Sequence, residues 1–281
     1  MLSGSRASRK WPSPSGSHVT SWRAILACYV LCVSVAWGSA DLPSEVSSDR
    51  PSVSSSPETV PVGAFQMEVG LEYARASMAG GPAGRRLALQ AMLRTGVTDR
   101  LEARLAGEPL VRLQEEHDTI GRGDVVLGFK YHLTDPLAEQ RGPSLTALPF
   151  VKFPVAEMPI GSERTDFGVL LLAGQDLLWG VSLTLNGGLV AVGQGRPHGY
   201  LLQALAVATA SRAVIGRLST FAEVFFTSRG ERDGSDAVGL DAGALYLLTR
   251  RISVDAAVGT TLSGPGPDYV LRGGFSLRLG R

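Results

Sequence analysis

One set of charged side chains recurs at alternate positions of short extended segments, and these residues have the most chemistry to offer. The acids are Glu68, Glu72, Glu102, Asp124, Asp166, Glu223, Asp241 and Asp255, and the bases are Arg94, Arg104, Lys130, Lys152, Arg217, Arg272 and Arg278. The two signs are balanced. A pore that filters ions by charge carries a ring of one sign. A mixed set fits a hydrogen-bonded ion-pair network that partly fills a lumen, or the lining of a solute path, and both readings stay open.

Other reactive groups are sparse. Past residue 40 the histidines are His117, His132 and His198. A hydrolytic triad needs a serine and a carboxylate or amide converging on one histidine, and no serine motif surrounds His132. His117 and His198 have no other His or Cys nearby, so no metal site and no cofactor is expected. Glu115-Glu116-His117-Asp118 reads as a solvated loop, and Arg122-Gly123-Asp124 as the start of a strand. The glycine-rich Gly193–Gly199 leads into a strand, whereas a phosphate cradle leads into a helix.

The elements that position these charges are strands. In Gly63–Arg75, Phe65, Met67, Val69, Leu71 and Tyr73 share one face, and Gln66, Glu68, Gly70 and Glu72 share the other. Successive strand side chains point to opposite faces, so a strand sorts them where a helix would scatter them. The pattern recurs at Arg86–Val97, Leu101–Leu105, Asp124–Leu133, Ser144–Val155, Arg164–Ala173, Trp179–Leu189, Tyr200–Thr209, Arg217–Phe226, Val238–Leu248, Ile252–Thr260 and Tyr269–Leu279. About twelve strands are expected, with Gly107 and Pro109 ending the third. Short connections near Asp99-Arg100, Gln175-Asp176, Arg212-Ala213 and Arg250-Arg251 alternate with longer loops rich in Gly, Pro and charge. An up-and-down barrel with turns at one rim and loops at the other produces this alternation.

Ahead of the strands, Arg6, Arg9, Lys10 and Arg23 precede the apolar run Ala24–Ala36, and Trp37-Gly38-Ser39-Ala40 follows it. This is the layout of a secretory signal peptide, residues 1–40. It carries both cysteines, Cys28 and Cys32. Residues 41–60, rich in Ser and Pro, read as a disordered leader. The barrel is expected over 61–281.

Alternation does not say which face meets solvent. Four features favour a membrane barrel over a soluble one. The apolar faces carry almost no charge, and one such charge near a bilayer midplane costs roughly 2–4 kcal/mol. Phe65, Tyr73, Trp179, Tyr246 and Tyr269 lie toward strand ends, as interfacial girdles require. The polar faces are mostly Gly, Ser, Thr and charge, and the chain is exported without a disulfide framework. The formal charge of +1 on 281 residues, with 19% charged, excludes the basic stripe of a nucleic-acid binder.

ETVPVGAFQMEVGLEYAR, MLRTGVTDRLEARL, GDVVLGFKYHL, GPSLTALPFVKFPV, GSERTDFGVLLL, FAEVF and AGALYLLTRRISVDAAVGTTLSGPGPDYVLRGGFSLRL occur in an order that resembles one outer-membrane transporter family. That family carries the label "putative MetA-pathway of phenol degradation". The resemblance covers roughly residues 58–279. It implies an outer-membrane barrel that passes small, sometimes aromatic, organic solutes, and it assigns no site residues. The chain departs from the common barrel ending: it closes on Leu279-Gly280-Arg281, with its last aromatic at Phe275.

The expected molecule is therefore an all-β, antiparallel, non-enzymatic outer-membrane barrel. Its expected partners are outer-membrane lipids, the barrel-insertion machinery and small organic solutes. The alternatives are a structural or interaction barrel closed by ion pairs and, third, a barrel hydrolase. Closure pairs the first strand with the last, which is expected to set Glu68 beside Arg278 and Glu72 beside Arg272.

Overall fold

The computed structural model describes residues 45–77, 83–134, 142–195 and 197–280. The expected signal peptide lies outside them. The described residues form strands β1 (Ala64–Ala76), β2 (Gly84–Thr98), β3 (Leu101–Gln114), β4 (Asp118–Gly121), β5 (Val125–His132), β6 (Ser144–Phe153), β7 (Asp166–Asp176), β8 (Val181–Gln194), β9 (Gly199–Ile215), β10 (Leu218–Thr227), β11 (Ala237–Thr249), β12 (Ile252–Ser263) and β13 (Tyr269–Gly280). Each pairs antiparallel with its neighbours, and β1 pairs with β13 from Ala64↔Gly280 to Arg75↔Tyr269. The sheet thereby closes on itself. Strand β4 pairs only with the far end of β3 and forms a hairpin above the wall, so twelve strands make the barrel. Both ends of the barrel sequence lie at the short-turn rim.

The faces are inverted relative to a soluble protein. The largest fully buried side chains include Arg94, Lys130, Glu68, Glu102, Glu223 and Asp241. Leu71 is 54% exposed, Leu171 50% and Val258 52%. A soluble barrel would bury those apolar side chains and expose the charges. Here the apolar face is the lipid face, and the closed ladder pairs strand backbone with strand backbone all the way round, as hydrocarbon demands.

Several boundaries differ from the sequence reading. Strand β3 continues through Gly107 and Pro109 to Gln114. The register opposes Leu89 to Leu110 and Ala91 to Gly107, so Pro109 sits in a bulge, where a residue without an N–H is tolerated. The bulge also flips the alternation, turning Val111 inward and burying it fully. Strand β9 runs on to Ile215, so its turn falls at Gly216-Arg217 and not at Arg212-Ala213; Gly216 adopts φ 53° there. Trp179, expected in a strand, occupies the β7–β8 turn with φ 63° and is 85% exposed.

Within the expected disordered leader, residues 45–60 are ordered, and residues 41–44 lie outside the described residues. Residues 45–62 enter the barrel from the short-turn rim, where the Val46 amide donates to Arg250 carbonyl oxygen (2.9 Å). They cross the lumen and return to the same rim to begin β1. Composition predicts disorder because the segment has too little apolar surface to form a core of its own. It is ordered by the polar wall around it.

Candidate functional site

A segment without regular structure must find a partner for each buried backbone group. The lumen charges supply them. Glu68 accepts from the amides of Asp49 and Arg50 (3.2 Å each). Glu223 accepts from Val53 (2.6 Å) and Ser54 (3.3 Å), and from the hydroxyls of Ser52 and Thr209. Glu102 accepts from Val60 (2.8 Å). Asn186 both accepts from the Ser55 amide (2.6 Å) and donates to its carbonyl oxygen (2.9 Å). In the other direction, Lys130 donates to Ser56 carbonyl oxygen (2.8 Å), Thr146 to Pro57 (2.6 Å) and Arg94 to Ser47 (3.0 Å). We call residues 45–62 the strap.

At its centre lies Asp49, 2.9 Å from Arg104, 3.0 Å from Lys130 and 3.7 Å from Arg94. Arg94 also pairs with Glu68 (2.9 Å) and Glu102 (2.8 Å). Three carboxylates and three cations thus neutralise one another away from water. Burial pushes the Asp49 carboxyl up, but Arg94, Lys130 and Arg104 together outweigh that and hold it far below its ordinary 3.8. A depressed folded pKa contributes stability that is complete above the unfolded value and is lost only as pH falls through the folded one. The Asp49 ion pairs with Arg94, Lys130 and Arg104 therefore persist from pH 7 down to about 4.

A second belt lies nearer the long-loop rim. Glu108, Arg86, Glu72, Arg272 and Asp241 form an unbroken chain of opposite charges: Glu108–Arg86 at 2.5 Å, Arg86–Glu72 at 3.1 Å, Glu72–Arg272 at 2.9 Å, then Arg272–Asp241. On the far wall Lys152 bridges Asp166 (2.6 Å) and Asp124 (3.4 Å). The expected Glu72–Arg272 seam pair is present. The expected Glu68–Arg278 pair is not, because register sets Glu68 opposite Ser276 and Gln66 opposite Arg278. Arg278 donates to Gln66 (3.1 Å) instead. Asp255 receives Arg50 of the strap at 3.4 Å. Arg217 is not a lumen residue: it sits exposed in the β9–β10 turn and donates to Leu248 carbonyl oxygen (2.9 Å). Asp124 lies just ahead of β5.

Glycines on the polar face make room for the strap. A Cβ on Gly70 would lie 2.1 Å from the Arg50 guanidinium, and one on Gly96 would lie 2.3 Å from the Val60 and Pro61 carbonyl oxygens. These positions and Asp49 are what the charge pattern alone missed. The available signal was glycine recurring among lumen-facing positions of otherwise well-formed strands. Gly70→Val should cost about 1–3 kcal/mol of overpacking and unseat Arg50. A Ser52→Cys reporter in that background should react with a water-soluble maleimide faster than the same reporter in the parent.

Two cavities of about 580 and 560 Å³ lie on the long-loop side of the strap. Val53, Glu72 and Arg272 border both. The first adds Met92, Val126 and Ile160, and the second adds Phe225 and Val270. The Phe225 ring lies against Gly239, at whose position a Cβ would meet it at 2.1 Å, so the aromatic face stays flush with the wall. His132 is held between Thr146 (3.0 Å) and Thr134 (3.3 Å), and the Thr146 hydroxyl is committed to the Pro57 carbonyl oxygen. Asp118 of the Glu115–Asp118 turn pairs with Arg112 at 2.5 Å.

The fold and its inverted faces define an outer-membrane β-barrel whose lumen is crossed by its own N-terminal segment. The chain belongs to the family described as "Putative MetA-pathway of phenol degradation", whose model matches residues 48–279. The solved structure of an outer membrane channel from Pseudomonas putida F1 is similar in fold, with TM-score 0.63 and 17% identity over 79% of this chain and 98% of that one. The NanC porin is also similar, with TM-score 0.54 and 10% identity over 76% of this chain and all of that one (100%). No curated protein sequence matches the chain.

Proposed function

We propose that the barrel passes small organic solutes, aromatic ones included, across the outer membrane, and that it is not an enzyme. The observation that carries this reading is the pair of cavities above the strap. Each has the volume of a small-molecule site. Each also sets apolar side chains, Val53 in both and Phe225 in the second, beside ion pairs that already satisfy one another. A neutral solute meets apolar surface there without having to break a charge pair, because the belt's own charges are paired with one another. The family's description, a phenol-degradation pathway, supports aromatic solutes, and the similar structure from Pseudomonas putida F1 is that of a channel. The apolar band is the surface that outer-membrane lipids cover once insertion machinery has delivered the barrel.

The test is the initial uptake of radiolabelled phenol at low concentration by intact cells that carry or lack the protein. A faster rate with the protein supports the proposal, and equal rates would overturn it. The strap's bonds to most of the wall favour a second reading, a permanently closed structural barrel. That reading predicts the equal rates.

A further inference from the structure

The register lines up four outward-facing positions on adjacent strands at the long-loop rim: Tyr269 on β13, Arg75 on β1, Arg85 on β2 and Gln114 on β3. The parallel row one step toward the barrel middle holds Leu271, Tyr73, Leu87 and Arg112. Leu87 and Leu271 are exposed apolar residues of the lipid band. The rings of Tyr73 and Tyr269 lie 6.2 Å apart, and aromatic side chains of this kind mark the level of lipid headgroups. The upper row therefore sits where hydrocarbon gives way to headgroups. Long loops face outward in such barrels, so the headgroups belong to the outer leaflet.

Arg75 and Arg85 are direct cross-strand neighbours. Like charges in that position destabilise a sheet unless something neutralises them. Nearby arginines have carboxylate partners: Arg86 meets Glu72 and Glu108, and Arg112 meets Asp118. No ion pair or side-chain hydrogen bond ties Arg75 or Arg85 to any described residue, and Arg75 Nε is buried without a partner. The β1–β2 connection, residues 77–83, contains no acid. Two guanidiniums side by side offer forked donors that match the oxygens of a phosphate.

We propose that Arg75 and Arg85 form a binding site for the phosphorylated headgroup of an outer-leaflet lipid. The lipid's acyl chains lie over Leu87 and Leu271, and its phosphate neutralises the arginine pair. The site anchors the barrel's first hairpin at a fixed depth in the membrane.

The full-length protein in detergent is titrated with lipid A carrying its phosphates and with the same lipid dephosphorylated, and bound lipid is counted by native mass spectrometry. Wild type should retain the phosphorylated lipid at least tenfold more tightly than the dephosphorylated one. Arg75→Gln with Arg85→Gln should abolish that difference while leaving the heat-dependent gel mobility of a folded barrel intact. Arg75→Lys with Arg85→Lys, which keeps the charge and loses the fork, should fall between them. Equal retention of the two lipids by wild type, or an undiminished preference in the double glutamine variant, would overturn the proposal. Binding of inorganic phosphate alone as tight as that of lipid A would overturn the assignment to lipid.

Discussion

Deleting residues 45–60 is expected to raise the single-channel conductance of the barrel several-fold in planar bilayers. The wall does not depend on the strap: β1 to β13 close through their own ladder, including the full β1–β13 seam. The strap's backbone, by contrast, is bonded to side chains on β1, β2, β3, β5, β6, β8 and β10. No ladder residue replaces it when it is gone. Water then enters and solvates Glu68, Glu102, Lys130 and Glu223, so the deletion opens a path without leaving charges buried and unpaired. An unchanged conductance would show that ions bypass the strap.

Arg94→Ala is expected to be the most destabilising single change in the wall. Arg94 is buried and touches Asp49, Glu68 and Glu102. Removing one member of a buried charge set costs about 3–5 kcal/mol, because the remaining charges stay desolvated. Arg94→Lys should recover only part of that loss. Arg94 holds Glu102 with two donors, Nε at 2.8 Å and Nη2 at 2.9 Å, and an ammonium cannot reproduce that fork. Arg112→Ala is the control. Its ion pair with Asp118 is about half exposed on both sides, so its loss should move the midpoint far less than Arg94→Ala does. The denaturant midpoint for loss of heat-modifiable mobility measures all three variants.

The barrel was legible because two-residue alternation is a local property. Phe65 to Tyr73 sort themselves whatever lies 200 residues away, and closure then fixes the Glu72–Arg272 neighbours. The third strand was cut short at Gly107 because a proline reads as a breaker; only the opposing register on β2 shows the bulge that accommodates Pro109. Most of the charged lumen positions were legible too, but their task was not. Glu68, Glu102 and Glu223 looked like members of a wall-to-wall network, and Glu68 and Glu102 do pair with Arg94. All three also hold the backbone of a segment whose Ser and Pro content signals disorder. That order is non-local: Ser55 is held by Asn186, and Ser52 by Glu223. Arg217 was misplaced because one turn lay four residues later than its charge pattern implied. Asp49 was missed because a lone carboxylate in a polar leader has nothing in its own neighbourhood to mark it.

The most direct test is phenol uptake by intact cells that carry Val53→Trp in place of the native residue. Val53 borders both cavities, so an indole there fills the space above the strap while every charged residue of the wall is kept. If solute travels through this lumen, uptake should fall to the rate of cells lacking the protein while the folded barrel persists in the outer membrane. Uptake at the unmodified rate would contradict passage through the lumen.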